Sequence, residues 1–418
     1  MQDIREVLDR RAVTPVFQPL VEIATGKVLG YEALSRGPAG TPWESPATLF
    51  AAARAAGREH ELDWICRAQA YRAILAAGAD PDLTWFVNME PTAWQAACPP
   101  DLAPVVAEAE ARLRVVTEMT ERAIADDPSG LLAATAACRT AGWGVALDDV
   151  GAVPMSLALM PFVQPDVVKL DMGLLRAPGD PHTARVVTAV AAHAETSGAV
   201  VLAEGIETAE HLAVARAMGA TVGQGWFFGR PGPLPRGVRA GSRLPFLPPP
   251  RSDDRTPFEV VAARRPVAQA TKAQLMPMSR HLEAVAADGR EPCVLLACFQ
   301  EARHFTPGTA RRFARMAARG PLVAALGAGL DDEPAPGVRG ACLGEDDTLR
   351  DEWNVLVIGP HRAAALVAHD LGDDGPDRER RFEFALTHDR GLVLEAARSL
   401  LGWIAPVRSE ELSAVGLG

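Results

Sequence analysis

The sequence predicts an α/β protein: a TIM-like (β/α)8 barrel with one antiparallel strand, followed by a smaller α/β domain. Short apolar runs alternate with helix-like segments, which is the pattern of parallel strands joined by crossover helices. Eight such runs fall within about 230 residues, the usual size of such a barrel. Several runs end in a charged side chain, and strands buried on both faces carry charge only at their ends.

The first two strands are predicted at residues 15–20 and 28–34, with a turn around Gly26 between them. Parallel neighbours need a crossover of about a dozen residues, and this connection is shorter. The pair is therefore expected to be an antiparallel hairpin, so that the first strand runs against the others.

The remaining barrel elements follow in alternation. Strands are predicted at residues 85–88, 114–118, 145–148, 167–170, 200–203 and 221–224, and helices at 48–58, 62–77, 102–111, 129–141, 183–197 and 209–218. A doubly wound open sheet is the alternative architecture. It is disfavoured because no GxGxxG turn follows the first strands.

Length and composition indicate two domains, since 418 residues exceed one typical domain. We assign residues 1–236 to the barrel, 237–255 to a linker and 256–418 to the second domain, because proline is dense in the middle segment. The second domain is predicted to have strands at residues 293–299, 322–326, 354–359 and 382–387 and a closing helix at 391–401.

Composition excludes several classes of partner. Hydrophobic residues make up 48% of the chain, which is typical of a globular protein with a core, and the net charge of −11 disfavours non-specific nucleic-acid binding. No apolar run reaches the ~18 residues of a membrane span, and the amino terminus lacks the apolar stretch of a signal peptide. The six cysteines are scattered without a CxxC pair. We therefore expect a cytoplasmic protein with no membrane or nucleic-acid partner.

Polar side chains recur at the ends of the predicted strands. They are Glu32, Asn88, Glu118, Asp148, Asp149, Lys169, Asp171, Glu204 and Gln224. Taken singly, each could be a helix cap or a surface charge. Because nearly every strand ends in this way, we expect one cluster at one rim, where barrels place their chemistry.

A cluster of carboxylates requires a cation to offset their mutual repulsion. Oxygen ligands from Glu, Asn and Asp suit a hard divalent ion such as Mg²⁺ or Mn²⁺, and the adjacent Asp148 and Asp149 offer a bridge to a second ion. Two such ions are a common device for hydrolysing phosphodiesters. Lys169 is predicted to position the attacking water, and Arg36 to bind a phosphate.

Residues 15–235 resemble the EAL-domain family of cyclic-di-GMP phosphodiesterases. Phe17-Gln18-Pro19 matches the family's opening, and Glu32-Ala33-Leu34-Ser35-Arg36 contains its eponymous motif. The further matches, in the family's order, are Asn88-Met89-Glu90-Pro91, Glu118-Met119-Thr120-Glu121, Asp148-Asp149, Lys169-Leu170-Asp171, Ala203-Glu204-Gly205-Ile206-Glu207 and Gln224-Gly225-Trp226. The family fold is a barrel with one antiparallel strand, in agreement with the predicted hairpin.

The resemblance implies hydrolysis of one phosphodiester of cyclic di-GMP to linear pGpG by a homodimer. It implies two Mg²⁺ or Mn²⁺ ions, held by Glu32, Asn88, Glu118, Asp148 and Asp149. It also implies Lys169 at the attacking water, Glu204 as an essential carboxylate and Glu121 as the anchor of the loop after Asp149. The dinucleotide would be contacted by Gln18, Leu34, Arg36 and Gln224, and we place Asp171 on the same surface.

The loop after Asp149 departs from the family pattern. The family usually continues Asp-Asp-Phe-Gly-Thr-Gly-Tyr-Ser, whereas this chain has Val150-Gly151-Ala152-Val153-Pro154-Met155-Ser156. A hydroxyl is lost, and β-branched and proline residues stiffen the loop. In the family this loop steadies the second metal and reaches the dimer interface. The alternative function is therefore a catalytically weak or inactive receptor that binds cyclic di-GMP and signals to a partner.

A third possibility follows from the polar residues alone, without the resemblance to the EAL family. It is a metal-dependent barrel lyase that acts on a carboxylate substrate, with Lys169 as the base. Failure to bind any cyclic dinucleotide would favour this possibility.

The second domain resembles the DICT family of presumed sensory modules. The resemblance rests on Cys298-Phe299-Gln300, on the segments 305–313, 352–360 and on Arg381-Phe382-Glu383-Phe384. It implies a regulatory role toward the barrel, with a signal that the sequence does not name. The alternative is an accessory domain that only supports dimerisation.

Overall fold

The structure is a computed structural model of the chain, and it describes residues 3–90, 96–120, 127–152, 156–237, 239–247, 255–288 and 291–404. The chain divides into two compact units. One unit comprises residues 1–121, 133–152 and 163–250, and the other comprises 122–132, 153–162 and 251–418.

The first unit contains a closed barrel of eight strands. They are β1 (Thr14–Glu22), β2 (Val28–Arg36), β3 (Thr84–Asn88), β4 (Arg114–Thr120), β5 (Gly144–Val150), β6 (Val167–Leu170), β7 (Val200–Ala203) and β8 (Val222–Gly223). Strand β1 is antiparallel to both β2 and β8, and every other neighbouring pair is parallel. The predicted barrel with one antiparallel strand is confirmed.

In the described residues, the helices before and between these strands are α1 (Ile4–Asp9), α2 (Pro46–Ala55), α3 (Glu59–Ala77), α4 (Ala103–Arg112), α5 (Pro128–Thr140), α6 (Met160–Val163), α7 (Met172–Arg176), α8 (Pro181–Ser197) and α9 (Ala209–Ala217). Helices α2, α3, α4, α5, α8 and α9 fall near their predicted positions, whereas α1, α6 and α7 were not predicted. Local sequence fixes the ends of α8: the Asp180 side chain accepts a hydrogen bond from the His182 N–H, and Gly198 takes the left-handed conformation at the carboxyl end.

One layer of the barrel core takes an apolar side chain from each strand: Leu20, Leu29, Phe86, Val116, Ala146, Val167, Leu202 and Val222. At six of these strands a polar residue follows two positions later, either within the strand or directly after it, namely Asn88, Glu118, Asp148, Lys169, Glu204 and Gln224. Side chains two residues apart on a strand share a face. The interior of the barrel therefore carries a polar layer directly above its apolar one.

Part of the segment predicted as a linker packs against the other end of the barrel. Leu244 is buried in the core layer, with Phe246 packed beside it. The Arg114 guanidinium lies 3.6 Å from the centroid of the Phe246 ring, and the backbone N–H of Leu247 donates to Asp166 at 2.5 Å. Residues 239–247 thus cap the amino-terminal ends of the strands, because apolar side chains interrupt the proline-rich stretch.

Gly30 occupies a position on β2 where no side chain fits. A Cβ there would lie 1.9 Å from the carbonyl oxygen of Thr84 on β3. We expect Gly30→Ala to push the two strands apart and to lower the free energy of unfolding by about 1–3 kcal/mol, the usual cost of overpacking. Urea unfolding measures the loss. Gly179→Ala is the control, since a Cβ at Gly179 meets nothing within 4 Å, and equal unfolding midpoints for the two variants would contradict the expectation.

The second unit is built on a seven-stranded sheet of order β12-β11-β10-β13-β14-β15-β9. The strands are β9 (Ala268–Thr271), β10 (Val294–Glu301), β11 (Leu322–Ala328), β12 (Arg339–Cys342), β13 (Glu352–Ile358), β14 (Ala363–Asp370) and β15 (Arg381–Thr387). Strands β10, β11 and β12 pair in parallel, and the other pairs are antiparallel. The predicted second α/β domain is confirmed, although β9, β12 and β14 were not predicted.

Helices that accompany this sheet in the described residues are α10 (Pro257–Ala262), α11 (Lys272–Ala287), α12 (Pro307–Ala317) and α13 (Arg390–Leu401). Helices α11 and α12 bury Leu275, Leu282, Phe313 and Met316 against alternate residues of the strands. The intervening strand residues are buried as well, and α13 contacts β13 and β14. Within the described part of the chain, no helix has both the length and the apolar composition needed to cross a bilayer.

Candidate active site

The polar layer of the barrel converges on one buried amine. The Nζ atom of Lys169 lies 2.6 Å from a Glu118 oxygen, 2.7 Å from Glu204, 2.9 Å from Asp148 and 3.6 Å from Glu32. Four strands and the segment after β7 supply these side chains, so the cluster exists only in the closed barrel. The predicted convergence is confirmed for these five residues.

Amide side chains hold Glu32 in this cluster. Gln224 donates from Nε2 to Glu32 at 2.6 Å and to Gln18 Oε1 at 3.2 Å, and Asn88 donates from Nδ2 to the other Glu32 oxygen at 3.1 Å. Gln18 in turn donates to the carbonyl oxygen of Gly229 at 3.2 Å. Both oxygens of Glu32 therefore have fixed directions.

Burial governs the ionisation of the cluster. It raises the pKa of Glu118 well above its usual value, with the charge of Glu32 adding to the effect, and it raises the pKa of Glu204 to about 8. Burial disfavours the charged form of Lys169, but the surrounding carboxylates outweigh it and raise the Lys169 pKa well above its usual value. Lys169 is therefore a permanent cation, and the acids outnumber it.

The donor set fits divalent cations. Oxygens of Asp148, Asp149 and Glu204 all lie within 4.8 Å of one another, and no donor among the described residues reaches the buried Oε2 of Glu118. Every available ligand is a carboxylate or amide oxygen, which Mg²⁺ and Mn²⁺ prefer. Asp149 has a φ of 55°, a conformation that Asp tolerates better than most residues.

A cavity of about 290 Å³ opens beside the cluster. Leu34 and Arg36 line it together with Asn88 and Glu118, so the motif after Glu32 faces the same space. The guanidinium of Arg36 donates to the Ser35 carbonyl oxygen at 2.9 Å and is only partly buried. Its remaining N–H groups are in a position to meet an anion.

Asp171 stands apart from the cluster around Lys169. Asp171 caps the short helix α7, where its Oδ1 accepts from the Gly173 N–H at 2.7 Å. That bond occupies one carboxylate oxygen, and contact of Asp171 with a substrate remains a prediction. Glu121 and residues 153–155 of the altered loop lie outside the described residues.

Supporting residues that the sequence did not reveal surround the site. The buried Asp63 accepts from the Glu90 N–H at 3.0 Å, just past Asn88, and pairs with Arg67 at 2.6 Å. His182 lies with Nε2 2.7 Å from the carbonyl oxygen of Gly151, just past Asp149. The four-residue spacing of Asp63 and Arg67 was a visible signal, but spacing alone does not distinguish a buried pair from a surface one.

Comparison with known families identifies the barrel. Residues 1–231, more than half of the chain, match the EAL domain. The chain belongs to the EAL domain family. A second match covers residues 259–371 and is to DICT, described as a sensory domain in diguanylate cyclases and two-component systems.

The EAL domain resembles curated phosphodiesterases. The probable cyclic di-GMP phosphodiesterase PdeB of Escherichia coli K12 is 27% identical over 235 residues, which cover 54% of this chain and 44% of PdeB. The cyclic di-GMP phosphodiesterase RocR of Pseudomonas aeruginosa is 32% identical over 123 residues, which cover 28% of this chain and 31% of RocR. The chain thus spans less than half the length of these relatives.

Solved structures also match the EAL domain. A complex of Klebsiella pneumoniae BlrP1 with manganese and cyclic di-GMP is 29% identical, with a TM-score of 0.46, and the match covers 53% of this chain and 56% of BlrP1. A calcium and cyclic di-GMP complex of the same protein is 30% identical, with a TM-score of 0.45 and the same coverage of both chains.

Proposed function

We propose that the chain is a metal-dependent phosphodiesterase that opens cyclic di-GMP to linear pGpG. The observation that carries this proposal is the convergence of Glu32, Glu118, Asp148 and Glu204 on Lys169 inside an EAL barrel. Relatives named as cyclic di-GMP phosphodiesterases support the substrate. An acidic site also needs cations to accept an anionic substrate, and the donor set is one that divalent ions favour.

The proposed metal ligands are Glu32, Asn88, Glu118, Asp148 and Asp149, for two Mg²⁺ or Mn²⁺ ions. When bound, such ions activate water and neutralise the charge that develops on the phosphate. The protein contributes the fixed directions of the ligands: the amides of Gln224 and Asn88 orient Glu32, and Lys169 holds Glu118 and Asp148. This preorganisation avoids rearrangement during the reaction.

Lys169 and Glu204 have different proposed roles. Lys169 is protonated, so it donates hydrogen bonds and supplies positive charge beside the attacking water rather than removing its proton. The Glu204 side chain is 20% exposed and contacts Lys169 at 2.7 Å. With a raised pKa and access to solvent, Glu204 is suited to take up the proton from the attacking water.

The other predicted residues are proposed to bind the dinucleotide. Arg36 would pair with a phosphate, and Leu34 would contact the ligand from the same cavity wall. Gln18, Gln224 and Asp171 are proposed to lie along the ligand. Glu121 is proposed to anchor the loop after Asp149.

Replacing Glu32 with alanine tests the proposal. We expect Glu32→Ala to lower the rate of pGpG formation by roughly 10²–10³-fold, the loss usual when one group of a preorganised site is removed. Chromatography of cyclic di-GMP incubated with the protein and Mg²⁺ or Mn²⁺ measures the product. Glu108→Ala on α4 is the matched control, because Glu108 is exposed and pairs only with Arg112 among the described residues. An active Glu32→Ala variant would refute the site.

A receptor is the second candidate. The observation that favours it is the sequence Val150-Gly151-Ala152 where the family usually has Phe-Gly-Thr. The same assay separates the candidates, because a receptor binds cyclic di-GMP in calorimetry and forms no pGpG. Restoring Thr-Gly-Tyr-Ser at residues 152–155 would then raise the rate if the loop is the limiting feature.

Regulation and assembly complete the proposal. The DICT domain is proposed to regulate the EAL domain in response to a signal, in keeping with the sensory description of its family. A homodimer is proposed as the working form. Light scattering of the full chain, with and without cyclic di-GMP, measures the assembly.

A further inference from the structure

The DICT domain contains a cavity of about 280 Å³ at the carboxyl end of β10. Its wall is made by the first turns of α11, the turn after β10 and the amino-terminal end of α12. A larger cavity of about 950 Å³ adjoins it, and Arg280, Glu283 and Arg312 line both. These volumes are in the range of sites that take small molecules. In open α/β sheets, such sites lie beyond the carboxyl ends of parallel strands.

Positive charge is concentrated on these walls. The smaller cavity is lined by Lys272, Arg280, Arg303, Arg312 and Arg378, opposed by Glu283 and Asp377. The larger one adds Arg315 and Arg319, opposed by Glu291. The whole chain carries a net charge of −11, so an excess of basic over acidic side chains at one place differs from its overall composition. A local basic surface in an acidic protein attracts an anion.

Ion pairs hold part of this wall, and Arg280 is among the arginines that they leave available. Arg312 pairs with the buried Glu283 at 2.8 Å, and Lys272 pairs with Asp377 at 2.6 Å. Arg280 makes no ion pair or hydrogen bond to another residue in the part of the chain that the structure describes. Its guanidinium is exposed where the two cavities meet, so it is available to a ligand.

Aromatic and strained residues complete the cavity. Phe299 and Trp353 line it, and the Trp353 ring is partly exposed, with its plane at 73° to the Phe382 ring behind it. Gln300, also in the wall, has a φ of 63° and is held by a hydrogen bond from its Nε2 to Asp370 at 3.0 Å. A non-glycine residue held in this conformation at a cavity wall is typical of a functional site.

We propose that this cavity binds a small aromatic anion, a compound that carries a phosphate or carboxylate on a flat ring. Arg280 contacts the anionic group, and Trp353 stacks on the ring. This site lies within the DICT domain and uses none of the residues assigned to phosphodiester hydrolysis. The proposed ligand of the sensory domain is thus an aromatic anion, and this proposal does not depend on phosphodiesterase activity in the barrel.

Calorimetry of the full chain tests this site with three probes: guanosine 5′-monophosphate, 4-hydroxybenzoate and inorganic phosphate. We expect at least one of the ring compounds to bind, and the compound that binds more tightly shows whether the ligand is a nucleotide or an aromatic acid. We expect phosphate alone to bind at least about tenfold more weakly, since it lacks the stacking contribution. Arg280→Ala is expected to lower the affinity for the ring compound by about tenfold or more, which is the effect of losing one charge-assisted hydrogen bond.

Two controls locate the binding. Arg311→Ala removes an exposed arginine from α12 that lines neither cavity, and it is expected to leave the affinity unchanged. Arg36→Ala separates the two sites, because it weakens any binding of guanosine 5′-monophosphate in the barrel and leaves the affinity of the DICT cavity unchanged. The proposal is overturned if neither ring compound binds at millimolar concentration, if Arg280→Ala binds like the unmodified protein, or if phosphate binds as tightly as the ring compounds.

Discussion

Replacing Lys169 with methionine is expected to abolish hydrolysis of cyclic di-GMP and to make folding of the barrel depend on a divalent cation. The variant removes the amine that faces Glu32, Glu118, Asp148 and Glu204. Leaving buried carboxylates without their cation lowers the free energy of unfolding by about 3–5 kcal/mol, and a bound metal ion would restore much of this loss. Turnover should fall by at least roughly 10²-fold, since the water loses its positive neighbour.

Two measurements check this expectation. Chromatography quantifies pGpG, and thermal unfolding is followed in EDTA and then with Mg²⁺ or Mn²⁺. The metal-dependent increase in unfolding temperature should be larger in Lys169→Met than in the unmodified protein, while calorimetry in Mg²⁺ still detects cyclic di-GMP. Lys27→Met is the control for loss of an exposed lysine. Unchanged turnover in Lys169→Met would remove this residue from the mechanism.

Replacing Asp166 with alanine is expected to cause a large loss of stability in the barrel. Its carboxylate pairs with Arg139 at 2.5 Å and accepts the backbone N–H groups of Val145 at 2.6 Å and Leu247 at 2.5 Å. The ion pair and the bond from Val145 are buried, and the bond from Leu247 is partly buried. The variant therefore leaves a cation and two donors without their partner. We expect the free energy of unfolding to fall by about 3–5 kcal/mol.

Urea unfolding followed by circular dichroism measures this loss. Asp180→Ala is the matched control, because Asp180 is exposed and only caps α8, a contribution of about 1 kcal/mol. The variant should also expose residues 239–247 to protease, since Leu247 is tied to the barrel through Asp166. Equal unfolding midpoints for the two variants would show that the Asp166 network adds little.

The barrel and its polar cluster were predictable because their signals are local. The short connection after the first strand requires a hairpin, and the confirmed antiparallel β1 follows from it. The polar residues at strand ends share a period of two with the core layer, so Lys169 and its neighbours had to meet once the barrel closed. Both arguments need only spacing and the closure of the sheet.

The missed features depend on contacts that spacing does not encode. Strand β14 is rich in alanine, which disfavours strands, yet it lies between β13 and β15 with both faces buried, where small side chains fit. Proline content predicted a linker at residues 237–255, and only the packing of Leu244 and Phe246 shows that part of it closes the barrel. The cavity beside Arg280 needs three elements brought together from distant parts of the domain.

Closure of the barrel rests on the seam between β8 and β1, which is one of the two shortest ladders of the sheet. Strand β8 has two residues, and its ladder to β1 consists of the pairs Val21–Gly223 and Glu22–Val222, about 200 residues apart along the chain. A ladder with so few backbone hydrogen bonds opens locally more readily than the rest of a sheet. Gln18 and Gln224 stand on opposite sides of this seam, and Gln224 holds Glu32. Opening of this seam would therefore release Gln224, one of the two amide side chains that orient Glu32.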